Sequence, residues 1–333
     1  MSFSPWKRVL LISLTFLFCS TNLKPLFSAN VDELVSKSVD QMCEQLIKIQ
    51  EPEPLFHIQA QNLSQNLVYA KWLEPSDFVT GASKDELKGL NGSLAYARVK
   101  APFFRVAQTI ITHEGEPKFI PGIKSTKVLT RKRESNSSEY ILIERDREVP
   151  VALKPFILSG SKYKIENMIR KKENAWILVR VKLAHVGKNE QKTMMKAIEG
   201  FEFAKDMGNG EVLLISGGFA LPNLGFLKIE KEKNENGKQV SFKAPINKAT
   251  FGFLDKVTEK LDVKSQVYKL IADSIVEGTF QSVAAVTQVT TDERWKSKWA
   301  YQLTKDETRA LLKDNREIFE RAKKNNQITY KSK

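Results

Sequence analysis

Residues 175–185 read AWILVRVKLAH, and this stretch decides the fold class. Apolar residues occupy every second position from Ile177 to Leu183, and Arg180 and Lys182 stand between them. Successive side chains of a β-strand point to opposite faces, so this alternation predicts a strand with one apolar and one polar side. Strands of this kind build antiparallel sheets that bury one face.

Further strands flank this one in the sequence and are joined by short polar turns. They are predicted at residues 127–130, 140–145, 163–168, 194–204 and 211–216. Turn residues stand at 171–174, 187–189 and 207–210. Asn and Gly in such short connections close antiparallel hairpins. The middle of the chain is therefore predicted to be an antiparallel meander.

Four segments are predicted to be helices. Residues 31–49 carry apolar side chains at helical spacing, and residues 102–112 begin with a proline at a position that helices tolerate. Residues 265–288 have an apolar stripe that steps by three and four. This segment is long enough to cross a sheet, since about twenty helical residues span about 30 Å. A further helix begins at Thr304, which has capping-box spacing with Glu307.

The N-terminus has the layout of a secretory signal. Lys7 and Arg8 precede an apolar run at residues 9–18, and polar residues follow it. The run is shorter than the roughly 20 residues that a membrane-spanning helix needs. We therefore expect a periplasmic or secreted protein, with an uncleaved membrane anchor as the alternative. Removal of residues 1–29 would leave Cys43 as the last cysteine, so no internal disulfide is expected.

The chain is basic, with a formal net charge of +14. Loss of Lys7, Arg8 and Lys24 with the signal would still leave +11. Such a charge favours anionic partners, and an anionic membrane surface is the one that fits an exported protein. No nucleic acid is expected, because the basic clusters lack the interleaved aromatic residues of stacking platforms.

A resemblance to a known fold family begins at residues 98–106, RVKAPFFRV, and continues through EPKFIPGI at 116–123 to the strand at 127–130. A strand that leads through Ala-Pro into a short helix, an aromatic-x-Pro-Gly turn and then a meander resembles START-related helix-grip proteins. This superfamily includes polyketide cyclases and lipid-transfer-like proteins. The later strands and the long helix keep the family's order, so the resemblance covers residues 91–290.

The resemblance implies an α+β fold in which a curved antiparallel β-sheet grips a long C-terminal helix. We expect a signal peptide (1–29), an N-terminal helix with the first strands (30–90), a START-like domain (91–290) and a charged helical tail (291–333). An extra hairpin at 228–247 departs from the family. So does Arg145-Asp146, because this nearest match to the family's Arg-Asp pair precedes Pro150 instead of following it.

In that fold a hydrophobic cavity lies between the sheet and the long helix, so the resemblance implies a lipid-like ligand. The expected lining consists of apolar residues on strands and helices: Phe104, Phe119, Phe156, Trp176, Phe201, Phe203, Phe219, Ile271 and Ile275. Loops at 119–122 and 217–222 are expected at the cavity's mouth. The same aromatic spacing is also typical of a filled core, so an envelope protein without a cavity stays an alternative.

The sequence offers little for catalysis. Histidines occur only at positions 57, 113 and 185, without metal-ligand spacing, and no nucleophile elbow or phosphate loop is present. We therefore expect no catalytic residue, no metal and no cofactor. The alternative is an enzyme of cyclase or hydrolase type. It requires a buried polar residue in the cavity, and the candidates are His185, Glu199 and Tyr140.

Overall fold

The computed structural model describes residues 26–49, 52–148, 161–184, 195–222, 230–233, 239–243 and 263–331. Its α-helices are α1 (Leu26–Ile49), α2 (Pro52–Phe56), α3 (Pro75–Phe78), α4 (Phe103–Ile111), α5 (Glu116–Phe119), α6 (Val263–Thr291) and α7 (Lys305–Lys324). Its strands are β1 (Val68–Leu73), β2 (Asn91–Val99), β3 (Ile123–Arg133), β4 (Ser138–Arg147), β5 (Ser161–Lys172), β6 (Trp176–Leu183), β7 (Met195–Gly208), β8 (Glu211–Pro222), β9 (Glu230–Lys233), β10 (Gln239–Lys243) and β11 (Ile328–Thr329).

Nine of the described strands form one large sheet in the order β11-β1-β2-β8-β7-β6-β5-β4-β3. Neighbouring strands from β1 to β3 along this order pair antiparallel, and β11 runs parallel to β1. The predicted meander is therefore confirmed. β1 and β11 come from outside residues 91–290 and extend the same sheet at one edge.

Two of the three predicted turns have the backbone geometry that their sequences favour. Asn174 and Asn209 adopt left-handed φ values of 51° and 55° in the β5–β6 and β7–β8 connections. Asn tolerates this region better than most residues do. The third turn, at 187–189, lies outside the described residues.

The inner face of the sheet is the side that α6 covers. α6 packs on β1, β2 and β8, and α4 contacts β6, β7 and β8 beside it. The side chains on this face of the strands are mostly small or β-branched, such as Ala95, Ala97, Ile177 and Val179. The hydroxyls of Ser93 on β2 and Thr279 on α6 lie 2.7 Å apart and form a hydrogen bond. The prediction that the long helix covers the sheet is confirmed.

The outer face, on the opposite side, is also covered over β6 and β7, and the alternation in β6 did not predict this. α1 lies across β6 and β7 and packs on Phe201 and Phe203. Arg180 is only 4% exposed. It is paired with Glu199 and with Asp40 of α1, whose Oδ1 lies 2.7 Å from Arg180 Nε. A buried charge needs such partners. The prediction that the polar side of this strand faces solvent is therefore wrong at Arg180.

Residues 217–222 belong to β8 and do not form a loop at a cavity mouth. Gly218 shows why glycine stands in this strand. Its φ is +145°, and a Cβ there would lie 2.3 Å from the carbonyl oxygen of Glu199 on β7. The glycine therefore allows a close backbone approach between two strands, and the expectation of a loop at 217–222 is wrong.

The C-terminal elements follow the sequence closely. The extra hairpin is present as β9 and β10, which pair antiparallel. α7 begins with the predicted capping box, in which Thr304 accepts a hydrogen bond from the amide of Glu307 at 3.3 Å and Glu307 accepts one from the amide of Thr304. Asn315 of α7 is 1% exposed and donates to the carbonyl of Phe119 at 3.1 Å. The helical tail is thus hydrogen-bonded to α5.

Candidate functional site

A cavity, called here the α6 cavity, lies on the inner face where α4, α5 and α6 meet β7 and β8. Its apolar wall consists of Ile110, Phe119, Ile120, Leu214, Val283 and Val286, and its polar wall consists of Thr109, Glu116, Glu202, Ser216 and Ser282. The free volume is about 20 Å³. This is room for about one water molecule. The cavity is therefore narrow, and its polar wall includes two carboxyl groups.

Glu116, at the start of α5, is the centre of a buried charge network. Arg145 of β4 donates to both of its oxygens, from Nη2 to Oε1 at 2.6 Å and from Nε to Oε2 at 3.0 Å. His113 Nδ1 lies 2.8 Å from Oε1, and Thr126 donates to Oε2 at 3.0 Å. Burial opposes ionisation, but Arg145 and His113 outweigh it and lower the pKa of Glu116 to about 2. Glu116 and Arg145 therefore form an ion pair.

Glu202 on β7 also lines the α6 cavity, but its carboxyl group ionises at a higher pH than that of Glu116. It has no hydrogen bond or ion pair with any residue in the described ranges. Glu202 is half-buried by exposed area. Burial and, to a smaller extent, the charge of Glu116 raise the pKa of its carboxyl, His113 and Arg145 oppose the rise, and the resulting pKa is about 7. Near neutral pH the group thus exchanges between a carboxylic acid that donates a hydrogen bond and a carboxylate that accepts one.

The two carboxyl groups have pKa values that their surroundings move in opposite directions. Such a pair can hold a fixed negative charge at one position and exchange a proton at the other. His113 adds a third polar group, since its Nε2 is buried and has no hydrogen-bond partner within the described part of the chain. The cluster can therefore bind a polar group inside an otherwise apolar region, and it can take up or release one proton.

The residues expected to line a cavity under the long helix are not brought together. Phe119 does line the α6 cavity. Phe104 is 66% exposed and packs edge-on against Trp299. Ile271 is buried and Ile275 is half-buried on α6, and neither lies in the cavity wall. Phe156 lies outside the described residues.

The other four expected lining residues lie on the outer face of the sheet. They are Trp176, Phe201, Phe203 and Phe219, and they pack in the cluster that α1 covers. Phe201 stacks on Phe56 of α2 with ring centroids 5.5 Å apart. Because β7 alternates, the residue between its two phenylalanines, Glu202, points to the inner face. The aromatic residues thus build a second core, and the carboxyl group faces the cavity.

Sequence reasoning did not single out Glu202, Ser216 or Ser282 for the cavity. The available signal was the amphipathic helix at residues 31–49, whose apolar stripe also needs a surface to cover. A second covering helix means that both faces of the sheet are buried. The large aromatic side chains of β7 can then pack under α1 on the outer face. Glu202, which alternates with them, consequently faces the inner side.

The polar candidates of the enzyme alternative are also placed differently. Glu199 lies on the outer face with Arg180. Tyr140 is half-buried, and burial together with the nearby charge of Glu166 raises the pKa of its hydroxyl. His185 lies outside the described residues. The polar side chains that do reach the α6 cavity are therefore others, principally Glu116 and Glu202.

Two kinds of feature are absent from the described ranges of the chain. No group of three or more His, Cys, Asp or Glu side chains in these ranges is arranged to hold a metal ion. Within the same ranges, none of the helices combines the length and the apolar character needed to cross a membrane.

No protein-family model and no curated protein matches the chain. Solved structures of similar fold include the STAR-related lipid transfer protein from Xanthomonas axonopodis, with 12% identity and a TM-score of 0.38 over 60% of this chain and 93% of that one. The human StAR-related lipid transfer protein 5 has 7% identity and a TM-score of 0.39 over 76% and 97%. The Zhui aromatase/cyclase from Streptomyces sp. R1128 has 10% identity and a TM-score of 0.33 over 60% and 92%.

These likenesses concern the fold alone, and the fold is established by the element order itself. A strand leads through Ala101-Pro102 into α4, the turn at 119–122 leads into the meander β3 to β8, and α6 closes the inner face. The predicted α+β class and the resemblance are confirmed at this level. The described chain has a helix-grip α+β fold, in which β2 and the meander β3 to β8 form a sheet that packs against the long helix α6; α1, α7, β1 and β11 lie outside residues 91–290.

Proposed function

We propose that this protein binds a hydrophobic molecule with one polar group in the α6 cavity, as a carrier or binding protein. The observation that carries the proposal is the carboxyl group of Glu202, which faces a cavity with one apolar and one polar wall and has no hydrogen-bond partner among the described residues. Glu202 would bind the polar group, and Phe119, Val283 and Val286 would contact the apolar part.

Glu202 is half-buried and has no hydrogen-bond partner among the described residues. A polar group that is fully buried without a hydrogen bond destabilises a protein by about 1–3 kcal/mol, and a half-buried one costs a part of that. Protein interiors are close-packed, and ligand sites are mostly apolar with a few polar groups that fix orientation. A ligand that hydrogen-bonds to Glu202 would satisfy the carboxyl and fill the space beside it.

The size of the cavity sets a condition on binding. Its free volume of about 20 Å³ is far below that of a lipid chain. A ligand must therefore widen the cavity by moving α6 away from α4 and α5. The rival interpretation is a non-catalytic envelope interaction protein with a filled core, in which the space holds a single water molecule.

Ser282→Leu on α6 tests the proposal by filling the cavity. We expect ligand binding to weaken at least about tenfold, at a cost in stability of about 1–3 kcal/mol from overpacking. The readouts are native mass spectrometry of protein loaded with a lipid extract, and displacement of a fluorescent fatty-acid analogue. Ser274→Leu, on the same helix but outside the cavity wall, is the control and should bind normally. Equal binding by Ser282→Leu, or no retained hydrophobic molecule in the wild type, would refute the proposal in favour of the filled core.

A second candidate function is acid–base catalysis in the same cavity. The observation that favours it is the pKa of Glu202, about 7, beside an ionised Glu116 whose pKa is about 2. A group with a pKa near the working pH is suited to proton transfer, and Glu202 would be the acid or base. Products formed from a hydrophobic extract by the wild type, but not by Glu202→Gln, would support an enzyme. Unchanged extract in both cases would exclude this candidate.

We further propose that the basic edge of the sheet approaches an anionic membrane. The edge strand β3 exposes Lys124, Lys127, Lys132 and Arg133. Each basic residue near an anionic surface contributes about 1 kcal/mol. Lys127→Gln with Lys132→Gln should therefore sediment less with phosphatidylglycerol vesicles at low salt. Lys305→Gln with Lys313→Gln on α7 is the charge-matched control. Equal sedimentation of the two double variants would argue against this edge.

Export remains a proposal drawn from residues 1–29, which carry the signal layout. The signal would direct the protein across the membrane, to a compartment where an anionic membrane surface is accessible, and would then be removed. The intact mass of the protein isolated from its own cells tests this directly. A mass that still includes residues 1–29 would contradict cleavage and favour the uncleaved anchor.

A further inference from the structure

Aromatic side chains meet at the surface of the protein where α4 begins. Phe104, in the first turn of α4, is 66% exposed, which is the highest value for a large apolar side chain in the described part of the chain. Its ring packs edge-on against Trp299, with the ring centroids 6.1 Å apart. Tyr301 follows Trp299 in the segment between α6 and α7 and is 49% exposed. Phe104, Trp299 and Tyr301 are called here the aromatic surface.

Backbone contacts hold the aromatic surface in place. The guanidinium of Arg105 lies 4.4 Å from the centroid of the Trp299 ring. The same group donates a hydrogen bond to the carbonyl oxygen of Trp295 at 3.1 Å. Lys118, in α5, donates to the carbonyl oxygen of Tyr301 at 2.6 Å. The segment that carries the two exposed rings is thus tied to α4 and α5, and the rings belong to an ordered part of the fold.

The aromatic surface is too small for a stable protein interface. A fully exposed aromatic side chain presents about 150–250 Å², so Phe104 and Tyr301 together expose about 200 Å². Each partner of a typical protein complex buries about 800 Å². A bilayer needs no such area, because a few aromatic side chains insert at the headgroup level while basic residues contact the headgroups. The size therefore favours a membrane over a second copy of the chain.

The charge beside the aromatic surface is positive. Lys100, Arg105 and Lys118 donate to backbone carbonyl oxygens. None of the three forms an ion pair within the described ranges, so their charges are not neutralised by a carboxylate. The exposed carboxylate of Glu114 opposes them only in part, which leaves a net positive charge. Exposed aromatic rings with uncompensated cations beside them are complementary to anionic headgroups.

The helix α4 connects the aromatic surface with two features described above. Thr109 and Ile110, later in the same helix, line the α6 cavity. At the C-terminal end of α4, Arg131 of β3 donates to the carbonyl oxygen of Ile111 at 3.2 Å, so the basic edge of the sheet lies beside this end. A membrane at the aromatic surface would therefore contact the helix that forms one wall of the cavity.

We propose that the aromatic surface inserts into the headgroup region of an anionic bilayer, with Phe104 as the anchoring side chain. The contact proposed above for the β3 edge is electrostatic, and insertion adds the burial of aromatic rings to it. Salt screens the attraction of lysines to a membrane, whereas it does not screen the burial of an apolar ring. Insertion would place α4 where a hydrophobic ligand can enter the α6 cavity from the bilayer, and this last step rests on the proposed function.

Tryptophan fluorescence with brominated lipids tests insertion. The protein purified from its own cells is mixed with phosphatidylglycerol vesicles whose acyl chains carry bromine, which quenches an indole that enters the bilayer. We expect quenching of the wild type that persists in about 0.5 M NaCl, where the Debye length is only a few Å. Trp299→Phe should lose most of this quenching, because Trp176 and Trp295 are buried.

A pair of serine variants tests the role of the exposed ring. Phe104→Ser should partition into the vesicles about tenfold more weakly in the same salt, because it removes the ring that would be buried. Met168→Ser removes an exposed apolar side chain from the outer face of β5 and is the matched control, which should partition as the wild type does. A thermal melt of each variant verifies that it is folded.

Three results would overturn the proposal. They are sedimentation with vesicles without quenching of Trp299, equal partitioning of Phe104→Ser and Met168→Ser, or self-association of the vesicle-free protein that Phe104→Ser abolishes. The last result would assign the aromatic surface to a second copy of the chain. Quenching of Trp299 in a protein that retains no hydrophobic molecule would support insertion and refute only the ligand proposed for the α6 cavity.

Discussion

Replacing Glu202 with glutamine is expected to stabilise the protein at pH 8 but not at pH 4. The pKa of this carboxyl is about 7 in the folded protein and lies at the ordinary value of 4.5 in the unfolded chain. A folded-state pKa above the unfolded value means that the folded protein binds the proton more tightly. Wild-type stability therefore falls as the pH rises from 4.5 to 7. This shift corresponds to a loss of about 3 kcal/mol in the free energy of unfolding of the wild type. The variant with glutamine has no carboxyl group to ionise at this position, so it would not show that loss.

Urea unfolding of both proteins at a series of pH values measures this effect. The difference in the free energy of unfolding, Glu202→Gln minus wild type, should grow by up to about 3 kcal/mol between pH 4 and pH 8. Glu173→Gln, at an exposed position in the β5–β6 turn, should show a difference that does not depend on pH. A constant difference for Glu202→Gln as well would mean that its carboxyl is solvated or paired.

Replacing Arg145 with methionine is expected to destabilise the protein by about 3–5 kcal/mol. The substitution leaves Glu116, which is 5% exposed, without the guanidinium that neutralises it. The pKa of Glu116 lies below its unfolded value. The ionised carboxylate of Glu116 therefore contributes its full stabilisation above pH 4.5, and this stabilisation is lost as the pH falls towards 2. Arg145→Met should remove this acid sensitivity along with the stability.

The double variant Arg145→Met with Glu116→Gln separates the pair from each side chain alone. It should be more stable than Arg145→Met, because no unpaired charge remains buried. Arg133→Met, at the exposed end of β3, should change the free energy of unfolding by less than about 0.5 kcal/mol. If Arg145→Met behaves like Arg133→Met, the network around Glu116 is not the buried ion pair described above.

Local patterns in the sequence were sufficient for the order of the fold. The alternation in residues 175–185 gave β6, the apolar stripe at 265–288 gave α6, and the spacing of Thr304 and Glu307 gave the first turn of α7. Each depends on contacts between residues that are near in sequence, or on a period that only one kind of element has. These features follow from the chain without knowledge of its tertiary contacts.

The lining of the cavity could not be obtained in the same way. Alternation in β7 separates Phe201 and Phe203 from Glu202, but it does not say which set faces α6. A choice of the wrong set reverses every side chain of the strand. The decision depends on α1, which is far away in sequence and packs on the phenylalanines. The burial of Arg180 could not be predicted for the same reason, because its partner Asp40 lies on α1, which is far away in sequence.

The glycines of β8 were misinterpreted for a related reason. Gly217 and Gly218 before a proline are typical of a loop, and composition alone favours that interpretation. In the structure Gly218 allows β8 to approach the backbone of β7, and Gly217 allows it to approach Ser93 and Leu94 of β2. Both contacts depend on neighbouring strands and not on the segment itself. Glycine in a strand and glycine in a loop differ only in tertiary context.

Photo-crosslinking with a diazirine-bearing fatty acid tests the central claim most directly, since it locates the ligand without knowledge of its identity. Mass spectrometry of the digested protein should find the label on residues of α4, α5 and the C-terminal half of α6, including Phe119 or Val283. An excess of unlabelled fatty acid should prevent this labelling. Label on the outer face around Phe201, label that no competitor removes, or no label at all would contradict the binding of a hydrophobic ligand in the α6 cavity.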